Sequence, residues 1–122
     1  MITRQQIDQL VVFQNGEYLV TSCYLNLDRA KMPAQMLKIK VKDLLQSAQQ
    51  QLSQKLGSHA QRESLRQDFA DIEAHAMPEV VANRYQALAI FSCAGEKFWQ
   101  VYGLPRLVRN ILIADRVPYI RP

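Results

Sequence analysis

The alternation of apolar and polar residues along the chain predicts four β-strands. The run Ala87–Cys93 is apolar on both alternating sets except at Ser92, as expected for a strand that is covered on both faces. A short polar break containing glycine separates this run from Phe98–Leu104, which is rich in aromatic and β-branched residues. The two segments therefore predict a central hairpin. The other two strands are predicted at 18–27 and 110–114.

The two faces of the first predicted strand differ in polarity. One face combines Thr21 and Cys23 with leucines, whereas the other carries Ser22, Tyr24 and Asn26. The second face is more polar, and this pattern predicts that it is less completely covered than the first.

Apolar residues at helical spacing predict a long helical hairpin over residues 34–77. Pro33 fits the start of the first helix, and Gly57 is a natural stop after it. Ser58 and Gln61 have the spacing of a capping box for the second helix, which we expect to end before Pro78. The apolar stripe of the first helix consists of Leu37, Val41, Leu44, Leu45, Ala48, Leu52 and Leu56.

These elements predict an α+β domain with a four-stranded mixed β-sheet and a central hairpin. A long helical hairpin covers the sheet, and a short N-terminal helix beginning near Thr3 joins it. Cys23 and Cys93 lie inside predicted strands, so we expect both thiols to be buried and unbridged. The predicted core is Leu44, Leu52, Phe69, Leu88, Ile90, Phe91 and Val101.

The length of 122 residues predicts one domain, spanning residues 1–122. Residues 116–122 are apolar, extended and flanked by prolines, and this pattern is typical of the start of an interdomain linker. We therefore expect the chain to be the N-terminal domain of a longer protein. The apolar runs are only strand-sized, and the N-terminus lacks the apolar core of a signal peptide, so we expect a cytoplasmic protein without a membrane partner.

The net charge of +4 is unevenly distributed along the chain. Residues 1–56 carry seven basic and four acidic side chains, residues 57–86 carry three and five, and residues 87–122 carry five and two. Two basic segments are compatible with binding to a nucleic acid, because phosphate contacts use Lys and Arg. The same charge would also serve solubility alone.

No motif in the sequence predicts a catalytic, cofactor or metal site. The four glycines form neither a phosphate-binding nor a dinucleotide-binding pattern, and His59 and His75 lack partners at ligand spacing. Asp68, like the nearby acidic residues of its helix, lies outside the apolar stripe and is predicted to be solvated. Trp99 is predicted to lie on a sheet face, with base stacking as the alternative. We therefore expect no enzyme, no cofactor and no metal.

Several stretches resemble the N-terminal domain of archaeo-eukaryotic peptide chain release factors. VTSCYLNL is similar to the "ISLYIP"-type strand of that family, with Ser22, Tyr24 and Leu25 at matching positions, and Leu88–Gly95 is similar to its "GLVVYCG"-type strand. The segment FWQVYGLPRLVRNILIADRVPYI resembles the next two strands of the family. Its amino-acid sequence is most similar to the bacterial families of the group. The resemblance covers nearly the whole chain.

Two features depart from the eukaryotic members of that family. The hairpin tip Leu56–Gln61 lacks their Asn-Ile-Lys-Ser, and their Tyr-x-Cys-x-x-x-Phe element would fall on Leu112, Ala114 and Pro118, none of which matches. The peptide-releasing Gly-Gly-Gln loop of the family belongs to its next domain, and no such triplet occurs in this sequence. The resemblance thus implies a non-catalytic ribosome- or RNA-recognition domain that acts in translation termination or ribosome rescue, without codon reading in the eukaryotic manner.

The expected partners are the ribosome or its RNA, together with downstream domains of the same chain. An alternative is a protein-interaction or self-association domain that forms a homo-oligomer without nucleic-acid contact. Under the first hypothesis, the candidate RNA- or ribosome-binding residues flank the start of the first helix and the hairpin tip. They are Arg29, Lys31, Lys38, Lys42, Lys55 and Arg62.

Overall fold

The structure, a computed structural model, describes residues 18–30 and 32–120, which form a β-sheet and two helices. The α+β class is therefore confirmed, and the predicted N-terminal helix lies outside the described residues. No helix in the described ranges is both long enough and apolar enough to cross a membrane. In chain order the elements are β1 (Val20–Asn26), α1 (Ala34–Ser53), α2 (His59–Ala82), β2 (Ala87–Cys93), β3 (Phe98–Leu104) and β4 (Ile111–Asp115).

The four strands form one sheet in the order β3-β2-β1-β4, and all three pairings are antiparallel. The sheet is therefore antiparallel rather than mixed. The helical hairpin explains the difference, because α1 runs along the sheet and α2 returns to the end at which β1 stopped. The next strand then runs against β1, whereas a single crossover helix would have made it parallel.

The face of the sheet under the helices holds the larger part of the core. Leu88 and Ile90 of β2 are fully buried there, and Phe69 of α2 is 3% exposed. Val101 of β3 is half-buried against the same cluster, as are Leu44 and Leu52 of α1. These predicted core residues are all part of the packed interior.

The opposite face of the sheet is also covered, which corrects the prediction made for β1. Val20, Ser22 and Tyr24 are all at most 2% exposed. The chain after β4 lies against this face: the Tyr24 hydroxyl donates to the Tyr119 carbonyl, and the Tyr119 N–H donates to Ser22 Oγ, both at 2.8 Å. The segment expected to begin a linker is thus packed on the sheet at Tyr119. Phe91 completes this cluster through an edge-to-face contact with Tyr24 at 5.9 Å.

The second helix continues four residues beyond Pro78, although the sequence predicted an earlier end. Pro78 lies on the exposed side of α2, whereas Glu79 and Val80 are buried in the next turn. That burial offsets the missing N–H bond of the proline. The helix ends at Asn83, which adopts a left-handed conformation with φ of 53° and donates its N–H to the Glu79 carbonyl.

The start of α2 and the two cysteines agree with the sequence. Ser58 Oγ accepts the N–H of Gln61 at 3.0 Å, as a helix cap does. Cys23 and Cys93 form no disulfide and are both fully buried, on opposite faces of the sheet. Burial alone raises the pKa of the Cys23 thiol, so this side chain is an unreactive member of the core.

Candidate nucleic-acid interface

The predicted RNA-binding residues lie in two separate places. Lys38 is half-buried and Lys42 is exposed on the first half of α1, whereas Lys55 and Arg62 are exposed at the hairpin tip. The 13 residues between Lys42 and Lys55 correspond to about 20 Å along a helix. The structure therefore does not join these four residues into one patch. Lys31 lies outside the described residues.

Arg29 is held against the end of α2. Its Nη1 donates to the Val81 carbonyl at 3.2 Å, and the residue is half-buried. Its Nε is buried without a hydrogen-bond partner among the described residues. The guanidinium also lines an open cleft of about 380 Å³ together with Asp28 and Asn83. Arg29 thus holds the chain after β1 against the end of α2, and its Nε–H group remains without an acceptor in the described residues.

Arg62 closes the turn between the helices. Its Nη1 donates to the Leu56 carbonyl at 3.0 Å. Leu56 lies in the turn between Ser53, where α1 ends, and His59, where α2 begins, so this bond ties α2 to the turn. Arg62 therefore has a structural role at the hairpin tip. Lys55 is the cation at the tip that is more available to a ligand.

Three further basic residues belong to α1 and the β3–β4 loop, and they were not among the predicted binding residues. Lys40 lies between the two predicted lysines in sequence but on the opposite flank of the apolar stripe of α1. It lines a cleft together with Leu107 and Asn110 of the β3–β4 loop. Arg106 and Arg109 are exposed in that same loop. The two basic segments of the sequence thus meet at one end of the sheet. The signal for this was the basic loop itself, but its position against α1 depends on the fold.

The lysines of α1 are not neutralised by acidic neighbours in the described part of the chain. The salt bridges found there join Arg66 to Glu63 and Arg84 to Glu79, both on or beside α2. Lys38, Lys40 and Lys42 take part in neither. Their charge is therefore available to a ligand, and unpaired lysines are what phosphate groups attract.

The cleft beside Lys40 is more enclosed than the cleft beside Arg29, and we call it the α1 cleft. It has a volume of about 220 Å³. Leu37, Val41 and Leu44 of α1 form one apolar wall, and Leu107 forms part of the other. Met32 completes the lining, and the polar residues around the cleft are Asn26, Asp28, Lys40 and Asn110.

Two asparagines hold the β3–β4 loop in place beside this cleft. Asn26 Oδ1 accepts the N–H of Val108, and Asn110 Oδ1 accepts the N–H of Asn26, both at 2.7 Å. These bonds also fix the orientation of the two amides, because only the amide oxygen can accept from a backbone N–H. The loop and the end of β1 therefore form one rigid wall.

The acidic residue Asp68 is fully buried between α2 and the sheet, although it was predicted to be solvated. Its Oδ2 accepts the Thr21 hydroxyl at 2.8 Å, and its Oδ1 accepts the Ser92 hydroxyl at 2.7 Å. Oδ1 also accepts the N–H of Ala94 at 2.8 Å. Thr21 and Ser92 face each other across β1 and β2. The carboxyl group therefore joins the helix to both central strands.

The polar cluster around Asp68 is a structural anchor. Burial raises the pKa of Asp68 to about 7, although its three hydrogen bonds act in the opposite direction. One turn earlier, Ser64 Oγ accepts the N–H of Gly95 at 2.9 Å. Together these bonds hold the two central strands and the β2–β3 turn on α2.

The other titratable side chains form no metal site within the described ranges. No group of three His, Cys, Asp or Glu residues in residues 18–30 and 32–120 is placed to hold a metal ion. His75 instead contacts the Trp99 ring at 5.9 Å between centroids, and His59 is exposed at the start of α2. Trp99 lies on β3 and is 37% exposed.

Comparison of the chain with known protein-family models and with curated proteins finds no match.

Proposed function

We propose that this chain is a non-catalytic recognition domain that binds ribosomal RNA through the basic residues around the start of α1. In this proposal it is the N-terminal domain of a cytoplasmic release-factor-like protein that acts in translation termination or ribosome rescue. The observation that carries it is that Lys40 of α1 and the β3–β4 loop, which holds the exposed Arg106 and Arg109, line one cleft. The salt bridges of the described residues include neither Lys38 nor Lys42 of the same helix.

The order of the elements supports the proposal. The resemblance to release-factor N-terminal domains implies a strand, two helices and then three strands, and β1, α1, α2, β2, β3 and β4 follow in that order. The hairpin tip carries Lys55 but none of the eukaryotic codon-reading residues. The proposal therefore rests on contacts with the RNA backbone.

The use of the polar side chains also favours recognition over chemistry. Asp68, whose pKa burial raises to about 7, has each oxygen occupied by an internal donor. Exposed lysines and arginines, by contrast, are present on α1 and in the β3–β4 loop. Such side chains bind phosphates through long-range attraction and need no enclosed pocket.

A second candidate function, protein interaction or self-association, is favoured by exposed apolar residues. Met36 and Ile39 are 57% and 62% exposed on the outer side of α1. Strand β3 is an edge strand in the sheet and carries the half-exposed Trp99. A partner protein or a second copy could cover either surface.

Ribosome co-sedimentation at two salt concentrations tests the first proposal against the second. The variant Lys38→Glu/Lys42→Glu should lose most of its binding without unfolding, because Lys42 is exposed and Lys38 is only half-buried. A matched control is Lys97→Glu/Arg116→Glu, which makes the same change in net charge with exposed residues at the other end of the sheet. The control should bind nearly as well as the parent chain.

The salt dependence decides between the two functions. Each phosphate contact releases counterions, so RNA binding should weaken steeply when salt is raised from about 50 to 200 mM. A ribosome affinity that changes neither with salt nor in either double variant would favour the protein-interaction function. Equal losses in the two double variants would show that net charge matters and that α1 is not the contact surface.

A further inference from the structure

The opening of the α1 cleft presents hydrogen-bonding groups that the fold does not use. The amide oxygens of Asn26 and Asn110 each accept a hydrogen bond from a backbone N–H. The side-chain NH2 groups of both residues therefore remain as donors. Asp28 accepts the N–H of Ala30 through Oδ1 at 2.9 Å, so its second oxygen remains an acceptor. Two amide donors and a carboxylate beside an apolar cleft can recognise the edge of a planar heterocycle.

The size of the cleft limits the ligand. Its volume of about 220 Å³ is below the roughly 300–1,000 Å³ of pockets that hold drug-sized molecules. One ring system fits such a space better than a larger ligand does. Leu37, Leu44 and Leu107 supply apolar walls for its faces.

The charges around the cleft favour a ligand that carries phosphate. Lys40 lies on the rim, and Arg106 and Arg109 are exposed in the loop that contributes the opposite wall. A base in the cleft would place its flanking phosphates within the field of these cations. A nucleotide combines the ring, the polar edge and the negative charge that this arrangement requires.

We propose that the α1 cleft binds one unstacked guanine of a single-stranded RNA, with Lys40 and Arg109 on the flanking phosphates. Guanine fits because N1–H and the N2 amino group both donate on one edge, toward Asp28, and O6 and N7 accept from the asparagine amides. Adenine offers the carboxylate a single amino group on that edge. This inference rests on the proposed function and adds a base preference to its backbone contacts.

Titration of the isotope-labelled chain with short RNAs tests the inference by NMR. The probes are the pentanucleotides UUGUU and UUAUU. We expect UUGUU to bind at least about 5-fold more tightly, the factor that corresponds to roughly 1 kcal/mol. Its addition should shift the backbone amide signals of residues 26–28, 37–44 and 107–110.

Two variants separate the base contact from the phosphate contact. Asp28→Asn keeps an oxygen for the Ala30 N–H but removes the carboxylate, so it should abolish the preference for UUGUU while leaving the affinity for UUAUU nearly unchanged. Lys40→Ala should lower the affinity for both RNAs by a similar factor. Asp43→Asn, an exposed carboxylate of α1 that does not line the cleft, is the control and should change neither.

Three outcomes would overturn the inference. They are equal affinity for the two RNAs, a preference that survives in Asp28→Asn, and tight binding of guanosine monophosphate alone, which would assign the cleft to free nucleotides. The proposed function is tested separately by co-sedimentation. Salt-dependent ribosome binding that requires Lys38 and Lys42 but not Asp28 would support the proposed function and contradict the proposed guanine site.

Discussion

The buried carboxyl group of Asp68 makes the stability of the domain depend on pH. In the unfolded chain this group has an ordinary pKa near 3.8, whereas in the folded state burial raises the pKa to about 7. Between these values the folded chain binds a proton that the unfolded chain has released. The stability that Asp68 contributes is therefore full below about pH 4 and is lost as the pH rises through 7.

The magnitude follows from the size of the pKa shift. Each pH unit in this window changes the free energy of unfolding by about 1.4 kcal/mol, so Asp68 alone lowers it by about 2–3 kcal/mol between pH 5 and pH 7. This is a large part of the ~5–15 kcal/mol that stabilises an ordinary domain.

Replacement of Asp68 by asparagine isolates this effect. The amide oxygen can take the place of Oδ1 and accept from Ser92 and Ala94, while the amide nitrogen donates to a rotated Thr21 hydroxyl. Asp68→Asn should therefore fold and should no longer titrate at this site. Asp68→Ala, in contrast, leaves three buried donors without an acceptor and should cost at least about 2–3 kcal/mol.

Urea denaturation at pH 5, 6 and 7 is the assay, and the quantity of interest is the stability of Asp68→Asn relative to the parent chain. We expect this difference to shift in favour of the variant by about 2–3 kcal/mol between pH 5 and pH 7. Asp43→Asn, which replaces an exposed carboxylate on α1, is the control for the change from acid to amide. A pH-independent difference for Asp68→Asn would refute the reasoning.

Three further predictions concern packing. Phe91→Ala should cost about 3–5 kcal/mol in urea denaturation, because the ring is fully buried between Tyr24 and Tyr102; a loss below about 1 kcal/mol would contradict its central position. Cys23 and Cys93 should react with a thiol reagent only after unfolding, since both are buried thiols that form no disulfide; rapid labelling of the native protein would contradict the burial of these strands. Gly103→Ala should destabilise the domain, because a Cβ there would come within 2.3 Å of the Tyr85 ring; the cost should largely disappear in a Tyr85→Ala background, and an equal cost in both backgrounds would exclude this contact as its cause.

The strands and helices were predictable because their patterns are local. The bounds predicted for β2 and β3 are those observed, since continuous apolar runs and aromatic segments are read directly from neighbouring residues. The stripe that buries Leu37, Val41 and Leu45 was likewise visible at helical spacing. The bounds of α2 were less predictable, because burial beyond Pro78 depends on what the helix packs against.

The polar interior was not predictable from local pattern. Asp68 meets Thr21 and Ser92 across 47 and 24 residues of sequence, so its helix position alone gave no sign of burial. A signal did exist, because Thr21 and Ser92 are polar exceptions on the faces of β1 and β2 that lie under the helices. Two polar residues that face each other in an apolar sheet require a polar partner.

The candidate interface was likewise predictable from the sequence only in part. Lys38 and Lys42 could be selected from the sequence, because their spacing placed them outside the apolar stripe. Lys40 could not be distinguished from them, because its role depends on the β3–β4 loop lying against α1. The side-chain amides that fix this loop pair residues more than 80 positions apart.

The central claim, that α1 binds the RNA backbone, is tested most directly by the salt dependence of ribosome affinity. The slope of log K against log salt counts the phosphates that the protein neutralises, at about 0.7–0.9 per contact. Lys38→Ala/Lys42→Ala should therefore reduce the slope by about 1.4–1.8 relative to the parent chain, while Lys97→Ala/Arg116→Ala leaves it unchanged. An unchanged slope in the α1 variant, or a parent slope near zero, would contradict the account.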